Sequence, residues 1–222
     1  MPDWLYGPAQ HYPTPGARNA DLTVHIVGLV LALAAGGLLV GVATRLNSPG
    51  AMAAICVYAL GVVAMLAFSM AYNFSPASLR PRLRRLDHAG IFLMIAASYT
   101  PFTTLCLSGA WGRAMTLAVW TIALAGALGK LFLPGLHKRF WIGVYLALGW
   151  MALVALKPMI HDISWVALLL LAVGGLIYSS GVIFYANKRL RFSRAIWHGH
   201  VVTAAAVHWT AVLVGVVMVA PK

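Results

Sequence analysis

"LTVHIVGLVLALAAGGLLVGVAT", Leu22 to Thr44, runs for 23 residues without an Asp, Glu, Lys or Arg. At 1.5 Å per residue a helix of that length rises roughly 34 Å, enough to cross the hydrocarbon of a bilayer. The run shows no alternation of period two, so a helix, which satisfies its backbone polar groups internally, is the spanning form it suits. The rest of the 222-residue chain has the same character, 62% hydrophobic and 9% charged, and no soluble domain of this size has enough interior to hide that much apolar surface. The chain is expected to be an all-α, polytopic integral membrane protein.

Six further stretches are long enough to span: Ala51–Tyr72, Asp87–Leu107, Ala114–Leu133, Phe140–Ala155, Ser164–Tyr185 and Ile196–Val219. Turn chemistry separates them at Asn47-Ser48-Pro49-Gly50, Ser75-Pro76, Ser108-Gly109, Pro134-Gly135 and Lys157-Pro158. The expected architecture is one seven-helix transmembrane bundle over residues 21–222, preceded by an irregular tail over residues 1–20. That tail, "MPDWLYGPAQHYPTPGARNA", lacks the basic-then-apolar order of a cleavable signal. Cys56 and Cys106 are too few for a disulfide framework or a cysteine metal cluster and read as small buried apolar residues.

Basic residues sort to one side. Arg18, Arg80, Arg82, Arg84, Arg85, Lys130, Lys138, Arg139, Lys188, Arg189, Arg191 and Arg194 fall on one face, against Arg45, Arg113, Lys157 and Lys222 on the other. By the positive-inside rule the N-terminus is cytoplasmic and the C-terminus external. The net charge of +12 is therefore a topology signal, reinforced by anionic lipid, and nucleic acid is not an expected partner.

Several spans carry polar residues where lipid-facing helices should not. Asp21, His25 and Gly28 share a face of helix one; Ser69, Tyr72 and Asn73 lie together near the end of helix two. Asp87 and His88 open helix three, with Ser98 three turns on. Helix seven starts with Arg194, His198 and His200 and holds His208 deeper. All but Ser98 and His208 belong to the basic end of the bundle, and ionisable groups inside membranes mark interior sites. Each also has a structural reading. Asp21 and Asp87 can be first-turn acids, Arg194 a topology charge, Ser69 a residue bonding back to its own helix, His200 interfacial and His208 a hydrogen-bonded core histidine. Trp111, Trp141 and Trp197 read as interface anchors, and Gly174, Gly175 and Gly181 as close-packing positions.

"RRLDHAGIFLMIAASYTPF" (84–102), "GGLIYSSGVIFYANKR" (174–189) and "AIWHGHVVTAAAVHW" (195–209) resemble the bacterial haemolysin III family, of the progestin and adipoQ receptor group, with a more distant likeness to alkaline ceramidases. The resemblance implies a seven-helix bundle with a cytoplasmic N-terminus; the expected location is the bacterial inner (plasma) membrane and the expected partner membrane lipid. The resemblance also implies a zinc site made by the histidine of a Ser-x-x-x-His on helix two and both histidines of a His-x-x-x-His on helix seven. Here those positions are Asn73, Arg194 and His198, so only His198 is a ligand type. Arg194 has no lone pair and a fixed positive charge, and catalytic zinc ordinarily takes three protein ligands. No bound metal or other cofactor is expected, and the reading is a zinc-free version of the family site beside a lipid-binding cavity, without catalysis. The alternative is a zinc-dependent, ceramidase-like lipid-amide hydrolase, with Ser69, Asp87 and His198 as catalytic candidates and Asp21, His25 and Tyr72 lining the pocket. Pore formation, suggested by the family name, has no charged ring or polar-lined helix to support it. The Arg194 guanidinium is expected to stand where the ion would and to pair with Asp87.

Overall fold

Thr14 and Pro15 open the first helix. The Thr14 hydroxyl accepts the Ala17 N–H at 3.2 Å, and proline at the first helical position has no N–H to leave unsatisfied. The computed structural model, which describes residues 11–133, 136–187 and 189–219, is a helical bundle. Its helices are α1 (Pro15–Ala43), α2 (Pro49–Phe74), α3 (Arg80–Leu105), α4 (Gly109–Phe132), α5 (Lys138–Gly149), α6 (Leu156–Asp162), α7 (Trp165–Ala186) and α8 (Ser193–Val212). Ser48 and Ser164 cap α2 and α7 as Thr14 caps α1. A π-turn over Leu213–Val217 continues α8.

Helices α5 and α6 make one crossing, joined by a 3-10 turn over Met151–Ala155. Among the described residues, six crossings are long and apolar enough to span a membrane. Helix α3 is the seventh; its first two turns carry Arg80, Arg82, Arg84, Arg85 and Asp87, and its apolar length follows them. Side chains sort as a bilayer requires: on α2, Tyr58 is fully buried, whereas Leu60, two residues on, is 67% exposed to the lipid side. Helix α1 lies between α2 and α8, with α3 and α4 following α2, α7 beside α8, and the broken fifth crossing against α3, α4 and α7. A Cβ on Gly28 would lie 2.6 Å from Val202, so glycine there lets α1 and α8 approach closely.

Four expectations shift. The last six residues of the expected tail, 15–20, are helical, so α1 starts at Pro15 and not Leu22. Asp87 sits two turns inside α3 instead of opening it. Lys157-Pro158 is no turn: both lie in the first turn of α6, where proline costs no hydrogen bond, and the chain turns at Ile163-Ser164. The break in the fifth crossing falls instead at Gly149-Trp150, where Tyr99 of α3 supports it. The Tyr99 phenol donates to the Gly149 carbonyl at 2.8 Å and accepts the Ala152 N–H at 2.8 Å. Trp141 is buried against Phe92 and is no interface anchor, while Trp111 is exposed as an anchor would be. The Pro134-Gly135 turn and Lys188 lie outside the described residues.

Candidate functional site

Asp21 is the centre of the polar cluster at the arginine-rich end. Its side chain, fully buried on α1, accepts from Nδ1 of His198 on α8 at 2.6 Å and from the Tyr12 hydroxyl at 2.5 Å. His25, one turn along, donates Nδ1–H to the Asp21 backbone carbonyl at 2.8 Å. A carbonyl can only accept, so Nε2 of the neutral His25 imidazole carries the lone pair. That nitrogen lies 3.1 Å from the Ser69 hydroxyl, and Nε2 of His198 lies 3.4 Å from the same oxygen. The two imidazoles stand 4.3 Å apart, centroid to centroid. Ser69 therefore joins α2 to α1 and α8, and on its own helix its hydroxyl accepts from the Asn73 side-chain amide at 3.4 Å.

One turn further along α2, Asn73 is also buried. Its amide N–H donates to the Ser69 carbonyl at 2.9 Å, which fixes the amide so that Oδ1 faces α8. Arg194 Nη1 donates to that oxygen at 3.0 Å and to His11 Nε2 at 3.1 Å. The expected pair of Arg194 with Asp87 is absent: no ion pair within 4.0 Å joins them. The guanidinium, reaching back along α8, meets the amide oxygen and the imidazole of the N-terminal strap before it reaches α3. Asp87 still faces the cluster, close enough to interact with Ser69 and the charges of His198 and Arg194.

His11 and Tyr12 form a strap that closes the site from the N-terminal side. The Tyr12 ring stacks on Phe74 at 5.9 Å, the His11 ring meets Tyr72 edge-on at 5.2 Å, and the Arg194 guanidinium lies 5.4 Å over the Tyr12 ring. Burial, then the Arg194 charge, holds the His11 pKa down at about 4, so the ring is a neutral acceptor near pH 7. Burial, with the hydrogen bond to Asp21 next, pushes the Tyr12 phenol up and keeps it a donor.

Of the residues singled out in the sequence, Asp21, His25, Ser69, Tyr72, Asn73, Asp87, Arg194 and His198 meet here. Ser98 bonds to the Ile95 carbonyl, His200 to the Ile196 carbonyl, and His208 lies deeper. Sequence reasoning missed His11, Tyr12 and Phe74. The Thr14-Pro15 cap was the usable signal, since an earlier helix start brings residues 11–14 to the mouth of the site.

A model of the family described as "Haemolysin-III related" matches residues 20–209, nearly the whole chain. The chain belongs to the haemolysin III family. It is 30% identical over 195 residues to "Hemolysin-3" of Bacillus cereus, covering 87% of this chain and 89% of that one. It is 31% identical over 198 residues to "Hemolysin-3 homolog" of Bacillus subtilis (strain 168), with coverage of 87% and 92%. It is also 30% identical over 164 residues to the human "Monocyte to macrophage differentiation factor", with coverage of 70% and 67%. Haemolysin III membership and the apolar helices together make this an integral membrane protein.

The zinc that the family resemblance implies does not fit at its three positions. Asn73 Oδ1, the one oxygen that position offers, already accepts from the guanidinium, and Arg194 can donate only. A different set is better suited to a cation: Asp21, His25 and His198 place one ligand atom each within 4.8 Å of one another.

Proposed function

We propose that this haemolysin III protein carries a fixed guanidinium charge where the family resemblance implies a zinc, and that it binds membrane lipid without hydrolysing it. The 3.0 Å contact from Arg194 Nη1 to Asn73 Oδ1 carries this reading. It supplies positive charge at the family position with no exchangeable coordination site, so no metal-bound water is generated there. The surrounding face, with Arg18, Arg80 and Arg191 beside the strap, suits anionic headgroups. Metal analysis of purified protein tests it: well under one zinc per chain is expected, and Asn73→His combined with Arg194→His should raise occupancy. One tightly held zinc per chain in the unmodified protein, unaffected by His25→Ala, would overturn it.

A second reading, a zinc-dependent lipid amidohydrolase, is favoured by the Asp21, His25 and His198 group. Both imidazoles direct Nδ1 to an oxygen of Asp21, as metal-bound histidines direct theirs to a supporting acceptor. In that reading stoichiometric metal is lost in His25→Ala and survives Asn73→Ala.

A further inference from the structure

Tyr58, Tyr178 and His208 bring polar atoms into the middle of the bundle, away from the site above. Tyr58 lies eleven residues before Ser69 on α2, and His208 ten residues after His198 on α8. At 1.5 Å per residue both stand roughly 15 Å from the arginine-rich cluster, about half of a ~30 Å hydrocarbon core. Among the described residues, the Tyr58 hydroxyl, the Tyr178 hydroxyl and His208 Nδ1 are buried with no hydrogen-bond partner. Leaving such groups unpaired at that depth is costly, and neighbouring lipid offers nothing to pair with.

The three are arranged together. Gly174 on α7 lets the His208 ring lie against that helix, where a Cβ would collide with the imidazole. Tyr178, one turn on and on the same face, meets the His208 ring edge-on at 5.5 Å. The Tyr58 phenol reaches in from α2, fully buried and near enough to Tyr178 for the two to interact electrostatically.

Donor and acceptor chemistry defines what would fit. His208 Nε2 lies 3.2 Å from the Leu171 carbonyl oxygen, so Nε2 carries the proton and Nδ1 a lone pair. Nδ1 thus needs a donor, while each phenol brings a proton that needs an acceptor. A carbonyl oxygen would serve the phenols and leave Nδ1 unpaired. A hydroxyl serves both, giving its proton to Nδ1 and its lone pairs to phenol protons. We propose that Tyr58, Tyr178 and His208 form an internal site for a hydroxyl group at mid-depth in the bundle, supplied by water or by a long-chain alcohol from the membrane.

The sign of a stability change tests this. Tyr58→Phe and Tyr178→Phe remove one oxygen each and keep the ring, so both variants should fold. If a hydroxyl is held, each should lower Tm in detergent by about 2–4 °C. The double variant should lose less than the sum, because both phenols act through one network. If the cluster is dry, deleting an unpaired hydroxyl removes a penalty, and an unchanged or higher Tm in both variants overturns the proposal. As an independent readout, the ¹⁵N resonance of His208 Nδ1 should show a hydrogen-bonded acceptor in the native protein and move toward the free value in the double variant. A free-acceptor resonance in the native protein also overturns the proposal. Adding 1-dodecanol to delipidated protein separates the sources. A saturable rise in Tm that the double variant lacks identifies the alcohol; phenol-dependent stability with no dodecanol response identifies water.

Discussion

Asp21 and His198 are locked together across 177 residues of chain, with Oδ1 2.6 Å from Nδ1, and they tie α1 to α8. Removing the carboxylate leaves the imidazole N–H and the Tyr12 hydroxyl without their acceptor inside the bundle. Asp21→Ala should therefore cost about 3 kcal/mol in equilibrium unfolding in mixed micelles. Asp21→Asn, which keeps one acceptor oxygen, should cost less. A loss in Asp21→Ala below about 0.5 kcal/mol would place this contact with weak surface pairs.

Arg194 is coupled to Asn73 more strongly than to Asp87. A double-mutant cycle of Arg194→Met with Asn73→Ala should show coupling of about 1 kcal/mol or more, and the cycle with Asp87→Ala a smaller value. Arg194→Lys keeps the charge but not the two-way contact with Asn73 and His11, so it should behave more like Arg194→Met than like the native protein. The reverse order of couplings would restore the ion pair expected from the sequence.

The strap should release in acid. The folded His11 pKa, about 4, lies below its ordinary 6.5, so protons bind more tightly to the undocked strap. Docking is then fully favoured above pH 6.5 and weakens as pH falls from 6.5 toward 4. Hydrogen–deuterium exchange of residues 11–20, corrected for intrinsic rates, should show protection fading in that window. His11→Gln should abolish this component of the pH dependence, and an unchanged profile in that variant would assign the titration to another group.

Much of this was legible in the chain, for reasons that can be named. Apolar runs of spanning length fix α1, α2, α4, α7 and α8 because lipid accepts little else. The i, i+4 spacing of Asp21 with His25, and of Ser69 with Asn73, puts those side chains on shared faces. The partner of Arg194 was not legible. A long side chain in an interior cluster chooses between acceptors a few ångströms apart, and sequence spacing does not register that choice. The docking of His11 and Tyr12 was hidden for a different reason, since short irregular segments carry no periodicity. The broken fifth crossing was hidden because Phe140–Ala155 and the residues after it are apolar enough to read as helix with or without a break.

The positive-inside count predicts the sidedness of the bundle. A reporter fused after the last residue should behave as extracytoplasmic, and one inserted between Ser75 and Leu86 as cytoplasmic. Both reporters on one side would require a re-entrant segment in place of one crossing, for which the broken α5–α6 pair is the first place to look.

The Tyr99 phenol has a consequence for how that pair can move. The crossing changes direction where its backbone ladder is interrupted, and one side chain from α3 serves both edges of the interruption, the Gly149 carbonyl and the Ala152 amide. Swivelling α5 against α6 would strip partners from main-chain groups surrounded by hydrocarbon, where no solvent can replace them. The bend is thus pinned by a neighbour instead of being free to articulate. A single oxygen atom on α3 separates a rigid elbow from a joint, and Tyr99→Phe would remove it.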